Sequence, residues 1–168
     1  MAQRRPTPRR VGPGTPAPAS LDGLAAPPDP VLEFIRAMWA VDHELQRVSR
    51  RMVGRMGLTA PQRLAVRFIG RHPGLTPGTL AELLHLHPGT VTGIVQRLEA
   101  RRLVERRRST ADTRRVHLAL TPAGRTLDRR RRGTVEAAVR RMADTLSAGE
   151  LDATAHVMRA VARSLADE

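Results

Sequence analysis

Residues 88–124 read PGTVTGIVQRLEARRLVERRRSTADTRRVHLALTPAG, and two periodicities meet inside them. In the first part Val91, Ile94, Val95 and Leu98 fall at i, i+3, i+4 and i+7, the spacing of one buried helix face. The opposite face carries Gly89, Thr90, Thr92, Gly93, Gln96 and Arg97, which are small or hydrogen-bonding residues. Such a face lets a helix approach a polar partner closely. From Leu103 to Leu120 the period changes. Leu103-Val104-Glu105-Arg106 and Val116-His117-Leu118-Ala119-Leu120 read as two short strands of a hairpin, with the alternation clearer in the second. Residues 101–115 carry Arg101, Arg102, Arg106, Arg107, Arg108, Arg114 and Arg115 against only Glu105 and Asp112.

Working outward, each flank is punctuated by helix signals. Thr76-Pro77 opens a short helix with Leu80, Leu83 and Leu84 on its inner side. Thr59-Ala60-Pro61-Gln62 fits a capping box, in which Thr accepts from the N3 amide and Gln reaches back. Leu64, Ala65, Phe68 and Ile69 follow as an apolar stripe, and Pro73-Gly74 ends that helix. Asp29-Pro30 starts a long first helix through Leu32, Ile35, Trp39, Leu45, Val48, Met52 and Met56, stopped at Gly57. On the other side, Thr121-Pro122 starts a helix predicted to run through Leu127, Val135, Ala138, Val139, Met142 and Leu146. It carries Arg129–Arg132 as a solvated face. Ser147–Glu150 is a second capping box, and the last helix places Leu151, Ala155, Met158, Ala162 and Leu165 at steps of four and three.

The predicted order is four helices, a hairpin and two helices. The fold class is mainly α with a small β-hairpin wing: a winged helix-turn-helix with N- and C-terminal dimerisation helices. The reading lobe spans about 59–120, and the dimerisation helices span about 29–56 and 121–166. Residues 1–28, interrupted by prolines and carrying Arg4, Arg5, Arg9 and Arg10, read as a disordered tail ahead of a single domain, 29–168.

Composition narrows the partners. All the basic residues are Arg, and the net charge is +13. A polyanion is the natural partner, because each basic contact to a phosphate releases condensed counterions. Aromatic residues are 2% of the chain, too few for the stacking platforms that bind single strands. With no cysteine, disulfides and thiolate metal sites are excluded. No apolar run approaches the ~20 residues of a membrane span, and no apolar signal core follows the first arginines. The expected compartment is the cytoplasm, and no membrane partner is expected.

A helix-turn-helix followed by a basic hairpin points to double-stranded DNA. The 88–101 helix would meet base edges in the major groove and the hairpin would flank the duplex. An Arg at a wing tip suits a narrow minor groove, where negative potential is concentrated. The motifs Asp112-Thr113-Arg114, Leu120-Thr121-Pro122-Ala123-Gly124, Gly57-Leu58-Thr59 with Gln62, and Thr90-Val91-Thr92 with Arg97-Leu98-Glu99 occur in the order seen in one family. Across about residues 30–165 the chain resembles the MarR (multiple antibiotic resistance regulator) family of transcriptional regulators. The resemblance implies that Arg114 enters the minor groove with Asp112 orienting its guanidinium. It also implies that Thr90, Thr92, Gln96 and Arg97 face the major groove or its phosphates. The chain departs from the family's pattern at Gly89, where Ser is frequent, and at His87, where an N-cap Ser is common.

The DNA-binding set is therefore Gly89, Thr90, Thr92, Gly93, Gln96, Arg97, Arg107, Arg108, Asp112, Arg114 and Arg115. One recognition helix reads only a few base pairs, so a homodimer on an inverted repeat is expected, acting as a repressor. The resemblance further implies release by a small aromatic or anionic effector between the dimerisation helices and the reading lobe. Trp39 and His43, four residues apart, are placed to line such a pocket; the alternative is that Trp39 belongs to the core. His85, His87 and His117 make a weak metal pattern, and neither metal nor cofactor is expected. No phosphate-cradling loop or nucleophile motif suggests an enzyme. The rival reading is a nonspecific basic architectural protein, whose affinity would follow salt rather than sequence.

Overall fold

The computed structural model describes residues 29–108 and 116–168. The 1–28 tail lies outside them. The elements run α1 (Pro30–Met56), α2 (Ala60–Arg71), α3 (Pro77–Leu84), α4 (Pro88–Ala100), β1 (Val104–Arg108), β2 (Val116–Leu120), α5 (Pro122–Arg129), α6 (Val135–Ala143) and α7 (Ala148–Ala166). Two units divide inside α1, one ending at Ala37 and the other spanning Met38–Glu168. In the first, the Asp29 side chain accepts from the Val31 amide at 2.8 Å, so Asp29 opens α1 as expected. Arg36 pairs with Glu33 at 2.7 Å and holds its carboxyl below the usual range.

In the second unit the core is built almost wholly within the lobe. Leu58, Val66, Ile69, Leu80, Val91, Val95, Leu98, Leu118 and Leu120 form one buried cluster. Each Val or Leu buried there stabilises the fold by about 1.5–3 kcal/mol, which concentrates stability between α2 and β2. Two expected core positions differ. Leu83 and Leu64 are exposed, whereas Ala81 and Val66 are buried. Both capping boxes form: Gln62 Oε1 accepts from the Thr59 amide at 3.0 Å, and Glu150 accepts from the Ser147 amide at 2.8 Å. Those bonds from Ser147 lower the Glu150 pKa.

The hairpin is antiparallel, pairing Val104 with Leu120 and Arg108 with Val116. Its inner edge is extended by the turn after α2, where the Leu118 amide donates to the Leu75 carbonyl at 2.8 Å. The Leu120–Gly124 motif closes the base of the wing. Thr121 caps α5 through the Gly124 amide at 3.0 Å and also donates to the Arg102 carbonyl at 2.6 Å. Gly124 packs so tightly on the backbone just before β1 that a Cβ would drive into the Leu103 carbonyl oxygen.

The continuous helix expected after Thr121 is broken. Arg130 is extended, Gly133 has φ 76°, and Thr134 caps a new helix. Arg130, Arg131 and Arg132 therefore lie in the break between α5 and α6 and not on a helix face. Gly133-Thr134 is a stop-and-start signal, since left-handed backbone favours Gly and an N-cap favours Thr. α6 and α7 contain no buried residue, and α1 has only Met52.

Candidate nucleic-acid interface

α4 is presented by both of its ends. α3 stops at His85, whose left-handed φ of 51° turns the chain, and the Leu86 amide returns to the Ala81 carbonyl at 3.1 Å. His87 then caps α4: its Nδ1 accepts from the Gly89 amide at 3.2 Å. The imidazole performs at this position the capping that a Ser hydroxyl would. At the far end the wing is tied back, with Arg106 donating to Glu99 at 3.0 Å. Val91, Ile94, Val95 and Leu98 are buried.

The opposite face stands clear. Gly89, Thr90, Thr92, Gln96 and Arg97 are exposed and Gly93 is half-buried. The Thr92 hydroxyl donates to the Pro88 carbonyl at 3.0 Å, which spends its proton and leaves its lone pairs to accept. Gln96 offers an amide with both donor and acceptor, and Arg97 a guanidinium. No carboxylate faces outward beside them from α4, whose single acid, Glu99, is held by Arg106.

On the wing, Arg107 and Arg108 are exposed, and Arg107 pairs with Glu105 two residues before it on the same strand. Asp112, Arg114 and Arg115 lie outside the described residues. The three histidines do not come together: His85 ends α3, His87 caps α4 and His117 sits on β2. Among the described residues no three His, Asp or Glu side chains are grouped as a metal would need.

Trp39 and His43 are both exposed, Trp39 by 74%, so Trp39 is not a core residue of the protomer. The apolar groove along this part of α1 lies between Val41, Leu45 and Val48 of α1 and Val135, Ala138 and Val139 of α6, with a volume of about 370 Å³. Neither Trp39 nor His43 lines it. Among the described residues no helix is long and apolar enough to cross a membrane.

Sequence reasoning passed over one residue that the structure makes central. Arg63 of α2 is 1% exposed. It donates to the Leu127 carbonyl at 2.8 Å, to Asp128 and Arg130 carbonyls at 3.0 and 2.7 Å, and to Glu136 at 2.7 Å. The last carbonyls of a helix have no partner inside it, and Arg63 supplies them here. The break at Gly133-Thr134 was the available signal that such carbonyls would need an outside donor.

A family model described as MarR family matches residues 56–115, from the end of α1 to the residue before β2. The organic hydroperoxide resistance transcriptional regulator of Bacillus subtilis is 32% identical over 87 residues, covering 52% of this chain and 59% of the relative. An HTH-type transcriptional repressor of Mycobacterium tuberculosis is 31% identical over 93 residues, covering 55% of this chain and 67% of the relative. The first of these alignments thus spans less than two thirds of its relative. Among solved structures, the PcaV transcriptional regulator of Streptomyces coelicolor, in complex with its natural ligand, is 26% identical. It overlays with a TM-score of 0.61, covering 89% of this chain and 99% of that one. The lobe's sequence and the winged-helix architecture agree with these relatives, and the chain belongs to the MarR family.

Proposed function

We propose that this protein is a homodimeric, sequence-specific double-stranded DNA-binding transcriptional repressor of the cytoplasm, and not an enzyme. The observation that carries the reading is α4: a helix anchored on one face by Val91, Ile94, Val95 and Leu98, whose other face exposes Thr90, Thr92, Gln96 and Arg97. Side chains of this kind read base edges and hold phosphates. Gly89 and Gly93 keep the helix surface low enough for close approach. Arg107 and Arg108 extend the contact along the wing, and the wing-tip Asp112, Arg114 and Arg115 supply the minor-groove arm.

Dimerisation is supported by what the protomer leaves open. Val41 and Leu45 of α1, Val139 and Met142 of α6, and Val157, Met158 and Leu165 of α7 are all exposed by 39% or more. Apolar surface on this scale marks an interaction site in a soluble protein, and a two-fold partner would also set two copies of α4 on one face of a duplex. A small aromatic or anionic effector bound near Trp39 and His43 would then act by changing the separation of the two copies of α4. The regulator names of the relatives support the reading, as does the description of PcaV in complex with its natural ligand.

The test is selection of bound duplexes from a random pool at physiological salt. An inverted repeat with half-sites roughly one helical turn, ~10 bp, apart is the expected result. In the same assay Arg114→Ala and Asp112→Ala are expected to lose affinity while Arg130→Ala loses little. Equal retention of all sequences, with equal losses in the three variants, would sink the reading in favour of a nonspecific basic binder.

A further inference from the structure

The first turn of α4 keeps no main-chain donor for a partner. A helix ordinarily leaves the amides of that turn unpaired, and they are the groups that meet a phosphate. Here all three positions are spoken for. Pro88 has no N–H, the Gly89 amide donates to His87 Nδ1 at 3.2 Å, and the Thr90 amide donates to the His87 carbonyl at 2.9 Å. The side chain that closes the turn is itself exposed. A neutral imidazole that accepts at Nδ1 carries its proton on Nε2, so the capping ring presents an N–H of its own at the end far from the backbone. The amide bonded to Nδ1 polarises the ring and strengthens that donor. The ring also accounts for its neighbour. A Cβ at position 89 would sit 3.3 Å from Nδ1 and 3.7 Å from Cε1, pressing on a hydrogen bond that is already 3.2 Å long. Gly89 lets the imidazole lie over the first turn.

We propose that His87 is a DNA-contacting residue at the entry of α4, donating its Nε2–H to a backbone phosphate, and that Gly89 serves this contact by making room for the ring. The inference rests on the reading of α4 as the helix that meets DNA. The chemistry favours a phosphate over a base. A single donor separates bases poorly, because G and A both present N7 and T presents O4 in the major groove. A phosphate drawn to the positive end of α4 finds the amides engaged and the imidazole N–H exposed beside them. Such a contact fixes where the helix sits in the groove without selecting sequence. A neutral ring also adds affinity without releasing a counterion, which sets it apart from the arginines of the same surface.

Two substitutions separate the ends of the ring. His87→Asn keeps an acceptor near the place of Nδ1 and loses the far donor. His87→Gln keeps a donor near the place of Nε2 and loses the cap. The full chain is followed by thermal melting and by titration onto the duplex selected from the random pool, at pH 8, where free imidazole is neutral. The order of the variants should invert between the two measurements. Asn should melt with the wild type and bind at least about tenfold more weakly, the loss of a hydrogen bond to a charged group. Gln should melt about 2–4 °C lower, the effect of a lost cap, and bind more tightly than Asn. Neither should alter the selected sequence or the salt dependence of binding. Affinities that follow the melting order, or a salt slope reduced by about one as for a lost arginine, overturn the contact. In the DNA-free chain, Gly89→Ala should lower the melting temperature of the wild type and raise that of His87→Ala, where no ring intervenes and Ala favours the helix. The same effect in both backgrounds overturns the pairing of His87 with Gly89. Failure to select any duplex counts against the regulator reading and the contact with it, while the DNA-free comparison still decides the pairing.

Discussion

Replacing Arg63 by Met keeps most of the buried stem and removes every donor. Four acceptors lose a donor at once: the Leu127, Asp128 and Arg130 carbonyls and the Glu136 carboxylate. The Leu127 carbonyl keeps the Arg130 amide at 3.0 Å, so losing its buried bond to Arg63 costs about 0.5–1.5 kcal/mol. The other three are part-buried, so water replaces Arg63 in part and each contributes about 0.5–1.5 kcal/mol. Against this, the variant no longer desolvates a guanidinium, which returns several kcal/mol. Removing one partner of a buried ionic group generally costs about 3–5 kcal/mol, and the partial exposure here puts the expectation near 3 kcal/mol, the low end.

The assay is urea unfolding followed by circular dichroism at fixed protomer concentration, because a dimer's apparent stability depends on it. With m of about 1–3 kcal/mol/M, the midpoint should fall by at least about 1 M at unchanged m. Arg63→Lys should lie between the two, since an ammonium keeps the charge but cannot reach three divergent carbonyls with a rigid fork. A Met variant within about 0.5 kcal/mol of wild type, the range of an ordinary surface change, would refute the reasoning. So would a Lys variant as stable as Arg.

Gly124→Ala should destabilise by about 1–3 kcal/mol in the same assay, because the added methyl displaces the backbone at Leu103, just before β1. Val139→Glu places a charge on the exposed apolar face of α6 and should convert the proposed dimer to monomer in size-exclusion chromatography. In that monomer the single tryptophan, Trp39, 74% exposed in the protomer, should emit as a solvated indole, red-shifted from the dimer if a partner covers α1. Gln96→Ala should relax base preference at one position in each half-site, by about 1–3 kcal/mol, with no change in the salt dependence of binding.

The lobe was legible because its residues obey one rule each. Val91, Ile94, Val95 and Leu98 face inward because nothing else in a helix of 3.6-residue period could put four apolar residues together, and the capping boxes at Thr59 and Ser147 formed as spaced. The α5–α6 break was missed because apolar residues resume in phase after it. Leu127, Val135, Ala138 and Val139 fit one helical stripe even though Arg130 and Gly133 are not helical. Periodicity alone cannot see an interruption that preserves phase, whereas Gly followed by Thr can reveal it. Arg63 was illegible for a different reason. Its burial depends on carbonyls more than sixty residues away, and those carbonyls exist only because of the break. Trp39 shows the complementary limit: an apolar residue on a helix stripe has a partner, but a single chain's pattern does not say in which copy.

The arginines of this chain divide into two kinds, and the division bears on how the terminal helices can influence α4. Arg97 and Arg108 are exposed on the reading face and the wing. Arg63 and Arg101 instead spend their donors on main-chain carbonyls. Arg101, the C-cap of α4, donates to the Gly57 carbonyl and, at 3.2 Å, to that of Met56, closing the end of α1. Arg63, from α2, closes the end of α5. Both places where the chain passes between the lobe and its terminal helices are thus fastened by a side chain of the lobe. A rotation of α1 strains the Arg101 contacts at the very end of α4. A displacement of α6 pulls on Glu136 and, through Arg63, on α2. A rigid cap transmits such a displacement, where a flexible linker would absorb it. Arg101→Met should therefore leave the lobe folded, since Arg101 is exposed, while loosening the spacing between half-sites that the selected duplexes tolerate.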